Sequence, residues 1–498
     1  MTRVLRPILD LLARFQRDEK GNIAVIFAIT LLPILTAVGC GIDYSQATRI
    51  RAKLQSAADA ASVASISQMS KGYKQALLMT GNGTVTDAVN DAADIFNGNI
   101  SDHSGFTNLS PTPTVTKTGV VLASTFTFTA DVPTTFMGVV GYSKMTVSGI
   151  SKSSASLPPY LDFYLMLDVS GSMGLPSTDA EQTRLASINP DNYTSYPNGC
   201  TFACHFTNSG ACPASSSKYN TNGYCMGYSM SRVSYSGVKT LLANNSGKLP
   251  SSLLSTLTPV TSCSTDGTDS CIQLRADAVG YAVQQLLLTA NATEKMANQF
   301  KIGLYPFIRH LYAYKALTTD INASATLPGT INYAAANLAS QLDTGANASL
   351  GSGGTHFENA FPEMNTIIAS VGDGSSVTST LPYVFLITDG AENPQIYSSG
   401  SWSGSNAATT MDTSKCTTLK NRGIIVSVLY IPYQPIQNPT TFASSEDYKA
   451  NANIPFIPPS LKACASSGYF YTANTPADIT TALNAMFNHA LVTAHITN

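Results

Sequence analysis

Three short segments, far apart in the chain, carry side chains that could bind a divalent cation. The first is Asp168-Val169-Ser170-Gly171-Ser172, the second is Gly354-Thr355, and the third is Thr388-Asp389-Gly390. Carboxylate and hydroxyl oxygens are hard donors, which suit Mg²⁺, Ca²⁺ or Mn²⁺ better than zinc. The set contains no His or Cys, so the segments predict a site for one of the hard cations.

The stretches that precede two of these segments indicate how they could meet. Asp168 follows the largely apolar run 161–167 and Asp389 follows the apolar run 383–387, and each run is typical of a strand buried on both faces of a parallel sheet. In open α/β sheets, ligands bind outside the carboxyl ends of such strands. A shell built mostly from neutral hydroxyls would leave the charge of the cation poorly neutralised, so we expect an external carboxylate to complete it.

The three segments resemble the metal-ion-dependent adhesion site (MIDAS) of von Willebrand factor A (vWA) domains, which consists of DxSxS, a distant Thr and a later Asp. The metal ligands implied by this resemblance are Asp168, Ser170, Ser172, Thr355 and Asp389. The resemblance also implies that the metal, Mg²⁺ or alternatively Mn²⁺ or Ca²⁺, binds a carboxylate of a protein partner. The alternative is a vWA domain that keeps the loops and binds no metal.

Further elements fit one α/β domain over residues 160–495. They follow in the order helix, strand, strand, strand and helix, at 276–287, 301–308, 423–431, 468–472 and 479–487. Alternating strands and helices imply a doubly wound, Rossmann-like sheet, the fold of vWA domains.

Residues 174–270 depart from the vWA pattern, in which a helix starts soon after DxSxS. The cysteines of this insertion, with one at its exit, are Cys200, Cys204, Cys212, Cys225, Cys263 and Cys271. Because the insertion leaves the sheet beside the metal loops, we interpret it as a recognition lid held by disulfides, and a decorative loop is the alternative. Cys200, Cys204 and Cys212 with His205 could form a zinc cluster, but the two-plus-two spacing of structural zinc sites is absent.

The composition gives no indication of a nucleic-acid partner, because only 12% of residues are charged and the net charge is −2. Apart from Cys40, the cysteines number eight, an even count that is consistent with disulfides in an oxidising compartment. We expect Cys416 to pair with Cys464. The pairing of the six cysteines associated with the insertion stays open.

The start of the chain predicts a membrane anchor. Residues 1–21 are rich in Arg and Lys, and residues 22–42 contain no charge, which is long enough to span a bilayer as a helix. Since Lys and Arg favour the cytoplasmic side, the tail is expected inside and the bulk of the chain outside. Two kinds of processing are alternatives to a retained anchor. Gly21 resembles a prepilin cleavage point with Ile26 where Glu is usual, and residues 37–40 resemble a lipoprotein box ending at Cys40.

Beyond the span, apolar residues recur at spacings of three and four, which predicts that the helix continues. This seam consists of Ala47, Ile50, Leu54, Ala57, Ala61 and Ala64. It could pack against a partner helix or against the protein's own next domain. Residues 125–132 and 144–150 are typical of strands, so residues 43–155 are expected to form a pilin-like α+β region.

The N-terminal region resembles the TadE/TadG-like proteins of Flp (tight adherence) pilus assembly. The matching segments are Gly21–Phe27, Ile42–Tyr44, Val132–Phe136 and Val139–Tyr142. With a vWA domain behind it, the match is to the TadG-like members. The resemblance implies a single-pass protein of the bacterial inner membrane, with its bulk in the periplasm, whose partners are pilus or envelope components.

Three functions remain open, and we favour a binding module that uses its metal for protein adhesion. One alternative is a structural anchor of the pilus machine with a non-functional metal site. The other is a metal-dependent hydrolase, for which His356 and Glu392 lie near predicted ligands in the sequence. Both are more simply solvated loop residues, and no pair of nucleophile and base stands out, so we expect no enzymatic activity.

Overall fold

The computed structural model describes residues 22–100, 104–188, 228–247, 249, 251–343, 347–398, 401–403, 408–433, 435 and 444–496. The chain divides into two compact units, Met1–Leu157 and Pro158–Asn498.

The first unit combines helices with an antiparallel sheet of the strand order β1-β2-β3-β4. The helices are α1 (Asn22–Ala64), α2 (Lys71–Leu78) and α3 (Thr86–Asn99). The strands are β1 (Gly83–Thr84), β2 (Thr107–Thr118), β3 (Val121–Pro133) and β4 (Lys144–Ser156), and a 3₁₀ turn, Met137–Val140, lies between the last two.

The two halves of helix α1 differ in how far their apolar side chains are buried. Its N-terminal part is long and apolar enough to cross a membrane, and nearly all of that stretch is exposed. In its C-terminal part, the seam residues Ala47, Ile50, Leu54, Ala57 and Ala61 are buried in a core with Phe96, Phe126 and Phe128. Of the two interpretations of the seam, the structure therefore shows packing on the protein's own sheet.

The second unit holds the longer sheet, and its elements agree with the order predicted from the sequence. The helices are α4 (Asp179–Ile188), α5 (Tyr228–Ser231), α6 (Tyr235–Asn244), α7 (Ser251–Leu254), α8 (Arg275–Thr293), α9 (Ile331–Ala336), α10 (Phe357–Ile367), α11 (Thr413–Asn421), α12 (Ser444–Asn453), α13 (Ile457–Cys464) and α14 (Pro476–Ile496). The strands are β5 (Leu161–Asp168), β6 (Phe300–Phe307), β7 (Lys315–Thr318), β8 (Leu381–Thr388), β9 (Ala391–Glu392), β10 (Ile396–Ser398), β11 (Ser401–Ser403), β12 (Thr409–Thr410), β13 (Ile425–Tyr430) and β14 (Phe470–Thr472).

The main sheet of this unit has the order β14-β13-β8-β5-β6-β7. Its strands are parallel except β7, which is antiparallel to β6. Every residue of β5 is buried, because Phe163 and Leu165 pack on one face with α8 and α14, whereas Tyr164 and Met166 pack on the other with α10, α11 and α13. Helices thus cover both faces of a mostly parallel sheet, which leaves the ends of the central strands as the place for polar side chains.

Candidate metal centre

The carboxyl ends of β5 and β8 bring the first and third sequence segments together. The two strands are neighbours in parallel register, with Leu167 opposite Ile387. The Thr388 hydroxyl donates to Asp168 Oδ2 at 2.6 Å and accepts from the Gly390 N–H at 2.8 Å. Asp168 Oδ1 accepts from the Ser170 N–H at 3.0 Å. Both loops therefore fix the orientation of the Asp168 carboxylate.

The two serine hydroxyls of the first loop lie next to each other. Ser170 Oγ lies 3.3 Å from Ser172 Oγ, at the start of the 3₁₀ turn Gly171–Gly174. The Ser172 side chain lies beside the Asp389 carboxylate and counteracts part of the rise in its pKa. Four of the five predicted ligands, Asp168, Ser170, Ser172 and Asp389, thus belong to one connected group.

Thr355 reaches this edge of the sheet through its backbone. Its N–H donates to the Asn393 carbonyl at 3.0 Å, and the Asn393 N–H donates back at 2.9 Å. Gly354 has φ +71°, and a Cβ there would come within 2.0 Å of the Asn393 carbonyl oxygen, so only glycine allows this approach. In the described residues, the Thr355 side chain makes no hydrogen bond to the other four predicted ligands, and the backbone pairing with Asn393 ties Thr355 to the loop that follows Asp389.

The two carboxylates of the group are buried and repel each other. Burial raises the pKa of Asp168, in spite of its hydrogen bonds from Ser170 and Thr388. Burial and then the charge of Asp168 raise the pKa of Asp389 to about 7. Asp389 Oδ1 is buried and has no hydrogen-bond partner in the described part of the chain. A second buried acid and an orphaned oxygen, with hydroxyls beside them, are a donor set that a hard divalent cation fits.

Arg275 is a residue of this site that sequence reasoning missed. It opens α8 directly after the insertion, and only 4% of it is exposed. Its Nη1 lies 3.5 Å from Asp389 Oδ2, and its Nη2 donates to the Pro432 carbonyl at 3.1 Å. The guanidinium thus neutralises part of the charge of Asp389. A charged residue within an otherwise apolar helix face was the only sign of it in the sequence.

Asp343 is a second missed residue, and it ties the first loop to the second. Its N–H donates to the Val169 carbonyl at 3.1 Å. Its carboxylate accepts from the Ser352 hydroxyl at 2.7 Å and from the Gly353 N–H at 2.8 Å. Burial raises the pKa of this acid. Asp343 therefore positions the loop that carries Thr355 relative to the loop that carries Asp168.

His356 and Glu392 are not the solvated loop residues that we expected, because they are 2% and 7% exposed. His356 Nδ1 lies 2.5 Å from Glu358 Oε1, and its Nε2 donates to the carbonyls of Gly353 and Gln395 at 3.1 and 2.8 Å. Burial and the neighbouring Glu358 raise the pKa of Glu392 to about 8. Both nitrogens of the imidazole therefore have partners within the protein, Glu358 on one side and two backbone carbonyls on the other.

The described part of the insertion is folded and lies beside Arg275. Its helices α4, α6 and α7 enclose a small apolar core that includes Leu185, Val238 and Leu254. Arg232 of the insertion forms a buried ion pair with Asp277 of α8 at 2.6 Å. The insertion also supplies residues 176–179 and 182 to one wall of a cleft of about 270 Å³ that Arg275 lines. A lid role for this segment stays a prediction.

The structure contains the disulfides Cys263–Cys271 and Cys416–Cys464, and the second one joins α11 to α13. Cys40 lies within α1 and is free. The remaining cysteines lie outside the described residues; they are Cys200, Cys204, Cys212 and Cys225. His205 also lies outside them, so the zinc alternative stays untested. In the described ranges, no group of three or more His, Cys, Asp or Glu side chains could hold a metal ion. A cation at the centre would therefore depend on the hydroxyl ligands.

Comparison with known proteins gives one family match at the N-terminus. Residues 21–67 match the family described as Flp pilus-assembly TadE/G-like. No curated protein sequence matches the chain.

Among solved structures, the chain is similar to the pilus adhesin SpaC from Lactobacillus rhamnosus GG, with 12% identity and a TM-score of 0.33 over 77% of this chain and 34% of that one. It is similar to the PilB minor pilin from Streptococcus sanguinis, with 9% identity and a TM-score of 0.32 over 77% of each chain. It is also similar to the vWF domain of the type V pili tip protein Mfa5 from Porphyromonas gingivalis, with 12% identity and a TM-score of 0.29 over 68% of this chain and 97% of that one. The chain spans about a third of the length of SpaC.

Proposed function

We propose that this protein is a membrane-anchored, extracytoplasmic component of Flp (tight adherence) pilus assembly, and that its second unit is a vWA-type adhesion module. In this proposal α1 spans the bacterial inner membrane once and the bulk of the chain is periplasmic. The match of residues 21–67 supports the pilus assignment. The mostly parallel sheet with helices on both faces supports the vWA assignment.

The observation that carries the adhesion proposal is Asp389 Oδ1, a buried carboxylate oxygen that lacks a partner beside a second buried carboxylate. Leaving such an oxygen unpaired destabilises the fold, unless a cation occupies the site. In the proposal Asp168, Ser170, Ser172, Thr355 and Asp389 hold Mg²⁺, or Mn²⁺ or Ca²⁺ in its place. Because the hydroxyls are neutral, the bound cation would retain an electropositive position that a carboxylate of a pilus or envelope protein could occupy.

Isothermal titration calorimetry on the unit Pro158–Asn498 tests the cation site. We expect saturable binding of Mg²⁺ and Mn²⁺ to the wild-type unit and none to the variant Asp168→Asn. The matched control is Asp162→Asn, because Asp162 is a buried acid of the same strand at its opposite end, where it bonds to Thr380. A folded wild-type unit that binds neither ion would contradict the proposal, as would equal binding by Asp168→Asn.

One observation favours the alternative of a structural anchor with a non-functional metal site. The Arg275 guanidinium already places a positive charge 3.5 Å from Asp389. If this arginine is the permanent counter-ion, the unit should bind no divalent cation even at pH 8, above the pKa of about 7 of Asp389, and partner binding should be unchanged in excess chelator. The calorimetric titration therefore separates the two functions directly.

A further inference from the structure

The β3–β4 loop, residues 134–143, exposes a cluster of apolar side chains in the first unit. Phe136 is 43% exposed, Val139 85%, Val140 49% and Tyr142 65%. Single exposed apolar residues are normal on a protein surface, but several on one short loop indicate a surface that something else covers.

The loop is attached to α1 by one carboxylate. Asp43 is 3% exposed, and its oxygens accept the N–H groups of Thr135, Phe136 and Met137 at 3.0, 2.9 and 2.7 Å. The hydrogen bonds of a carboxylate to backbone N–H groups are among the strong ones in proteins. A Cβ at Gly39 would lie 2.4 Å from Phe136 Cβ, so the glycine lets the loop lie directly on the helix.

The loop also holds its own shape. The Thr134 N–H donates to the Ser143 carbonyl at 3.1 Å, and the Tyr142 N–H donates to the Met137 carbonyl at 2.9 Å. Gly141 has φ +98°, a conformation that closes the turn and that other residues rarely adopt. The apolar side chains are therefore presented outward by a loop that is fixed before it meets any partner.

The height of the loop along α1 identifies what covers it. The uncharged residues 22–42 of α1 span about 30 Å, the thickness of the hydrocarbon core of a bilayer. The loop contacts α1 at Gly39 and Asp43, at the end of that span. The apolar residues Val38 and Ile42, which precede these two contact positions on α1, are also exposed. Tyrosine prefers the boundary between membrane and water, where Tyr142 would lie.

We propose that the β3–β4 loop inserts into the outer surface of the bilayer beside α1, as a second membrane contact of the first unit. This inference rests on the anchor in the proposed function and is independent of the cation site. Asp43 acts as the positioning residue, because it holds the loop at the depth where the uncharged span ends. The occupant is a lipid surface, with the side chains of Val139 and Val140 at the boundary of headgroups and acyl chains.

Tryptophan reporters in the full-length protein test the depth of the loop. The chain has one tryptophan, so each reporter is placed in a Trp402→Phe background. The proteins are reconstituted in vesicles of phosphatidylcholine and phosphatidylglycerol whose acyl chains carry bromine, which quenches nearby indoles. We expect emission from the Val139→Trp reporter to fall about twofold relative to unbrominated vesicles, as for a side chain at the acyl boundary.

Two control reporters on α1 give the reference values for no quenching and for strong quenching. Val63→Trp replaces a 60% exposed valine of α1, about 30 Å beyond the span, and should not be quenched. Leu35→Trp lies inside the span and should be quenched strongly. Quenching at residue 35 with none at residue 139 would overturn the loop proposal alone, whereas no quenching at either would overturn the anchor as well. Protection of residue 139 from both bromine and aqueous acrylamide would overturn it in favour of a protein neighbour.

A last variant tests the role of Asp43. Asp43→Ala removes the carboxylate that accepts the three N–H groups of the loop. Quenching of the Val139→Trp reporter should therefore decrease, while quenching of the Leu35→Trp reporter stays unchanged. Unchanged quenching at residue 139 in a folded Asp43→Ala protein would contradict the positioning role.

Discussion

Replacing Asp168 by asparagine should make the metal-free second unit more stable. Burial and the charge of Asp168 raise the pKa of Asp389 to about 7. Because the pKa of Asp in an unfolded chain is about 3.9, the higher pKa of folded Asp389 corresponds to about 4 kcal/mol of lost stability when this group is ionised. Because the folded pKa is the higher one, the loss is absent below about pH 4, grows as the pH rises and is complete above about pH 7.

The substitution Asp168→Asn removes one of the two repelling charges and keeps the shape of the side chain. The asparagine oxygen can still accept from the Ser170 N–H, and its amide can face the Thr388 hydroxyl. Since the charge of Asp168 causes only part of the shift, we expect a gain of about 1–3 kcal/mol at pH 8. The gain should disappear as the pH falls towards 4.

Urea unfolding of Pro158–Asn498, followed by circular dichroism in EDTA and in Mg²⁺, measures both effects. At about 100 times the Kd, Mg²⁺ should stabilise the wild type by about 2.7 kcal/mol and should leave Asp168→Asn unchanged. The control Asp162→Asn should keep the full increment from Mg²⁺. A less stable Asp168→Asn unit in EDTA at pH 8, or equal increments in both proteins, would refute the reasoning.

Three further results are expected from the same unit. Arg275→Gln should tighten Mg²⁺ binding about tenfold in calorimetry, because the guanidinium no longer repels the cation, and a weaker affinity would show that the arginine instead orders the site. Asp343→Ala should lower the free energy of unfolding by about 1–3 kcal/mol and weaken Mg²⁺ binding, because the loop that carries Thr355 loses two hydrogen bonds. Unchanged Mg²⁺ binding would show that Asp343 does not position this loop for the cation. Replacing both Cys416 and Cys464 by Ser, which opens a loop with a sequence separation of 48, should cost about 4 kcal/mol in urea unfolding without altering Mg²⁺ affinity.

The central strands of the second unit could be predicted because their sequences are almost continuously apolar. The run 161–167 is buried on both faces and is nearly continuous in apolar residues, so periodicity and turn residues were sufficient to find it. The segments around Asp168 and Asp389 could be predicted for the same reason, since each directly follows such a strand. Arg275 could not, because its partner lies 114 residues away and only the folded sheet brings them together.

The first unit shows where local pattern was a poor guide. Residues 151–159 resemble a linker in the sequence, yet residues 151–156 extend β4 and pair with β3 as far as Ser156 opposite Val121. Strand β2 contains Pro111 and Pro113, which argue against a strand, but both pair with β3 on one side and lie beyond the short β1 on the other. A proline is tolerated where its missing N–H would point away from the sheet. In both segments, pairing with a strong neighbouring strand outweighed weak intrinsic preference.

The continuity of α1 has a mechanical consequence. From Leu35 in the uncharged span to Leu54 in the core of the first unit, the helix runs without a loop or a break. If the apolar part of α1 spans the membrane as proposed, a change in its tilt would also rotate the sheet that packs on the C-terminal part of the helix. In the proposed function, a pull on this unit would therefore pass through α1 towards the bilayer, and the apolar and packed parts of the helix could not change orientation independently.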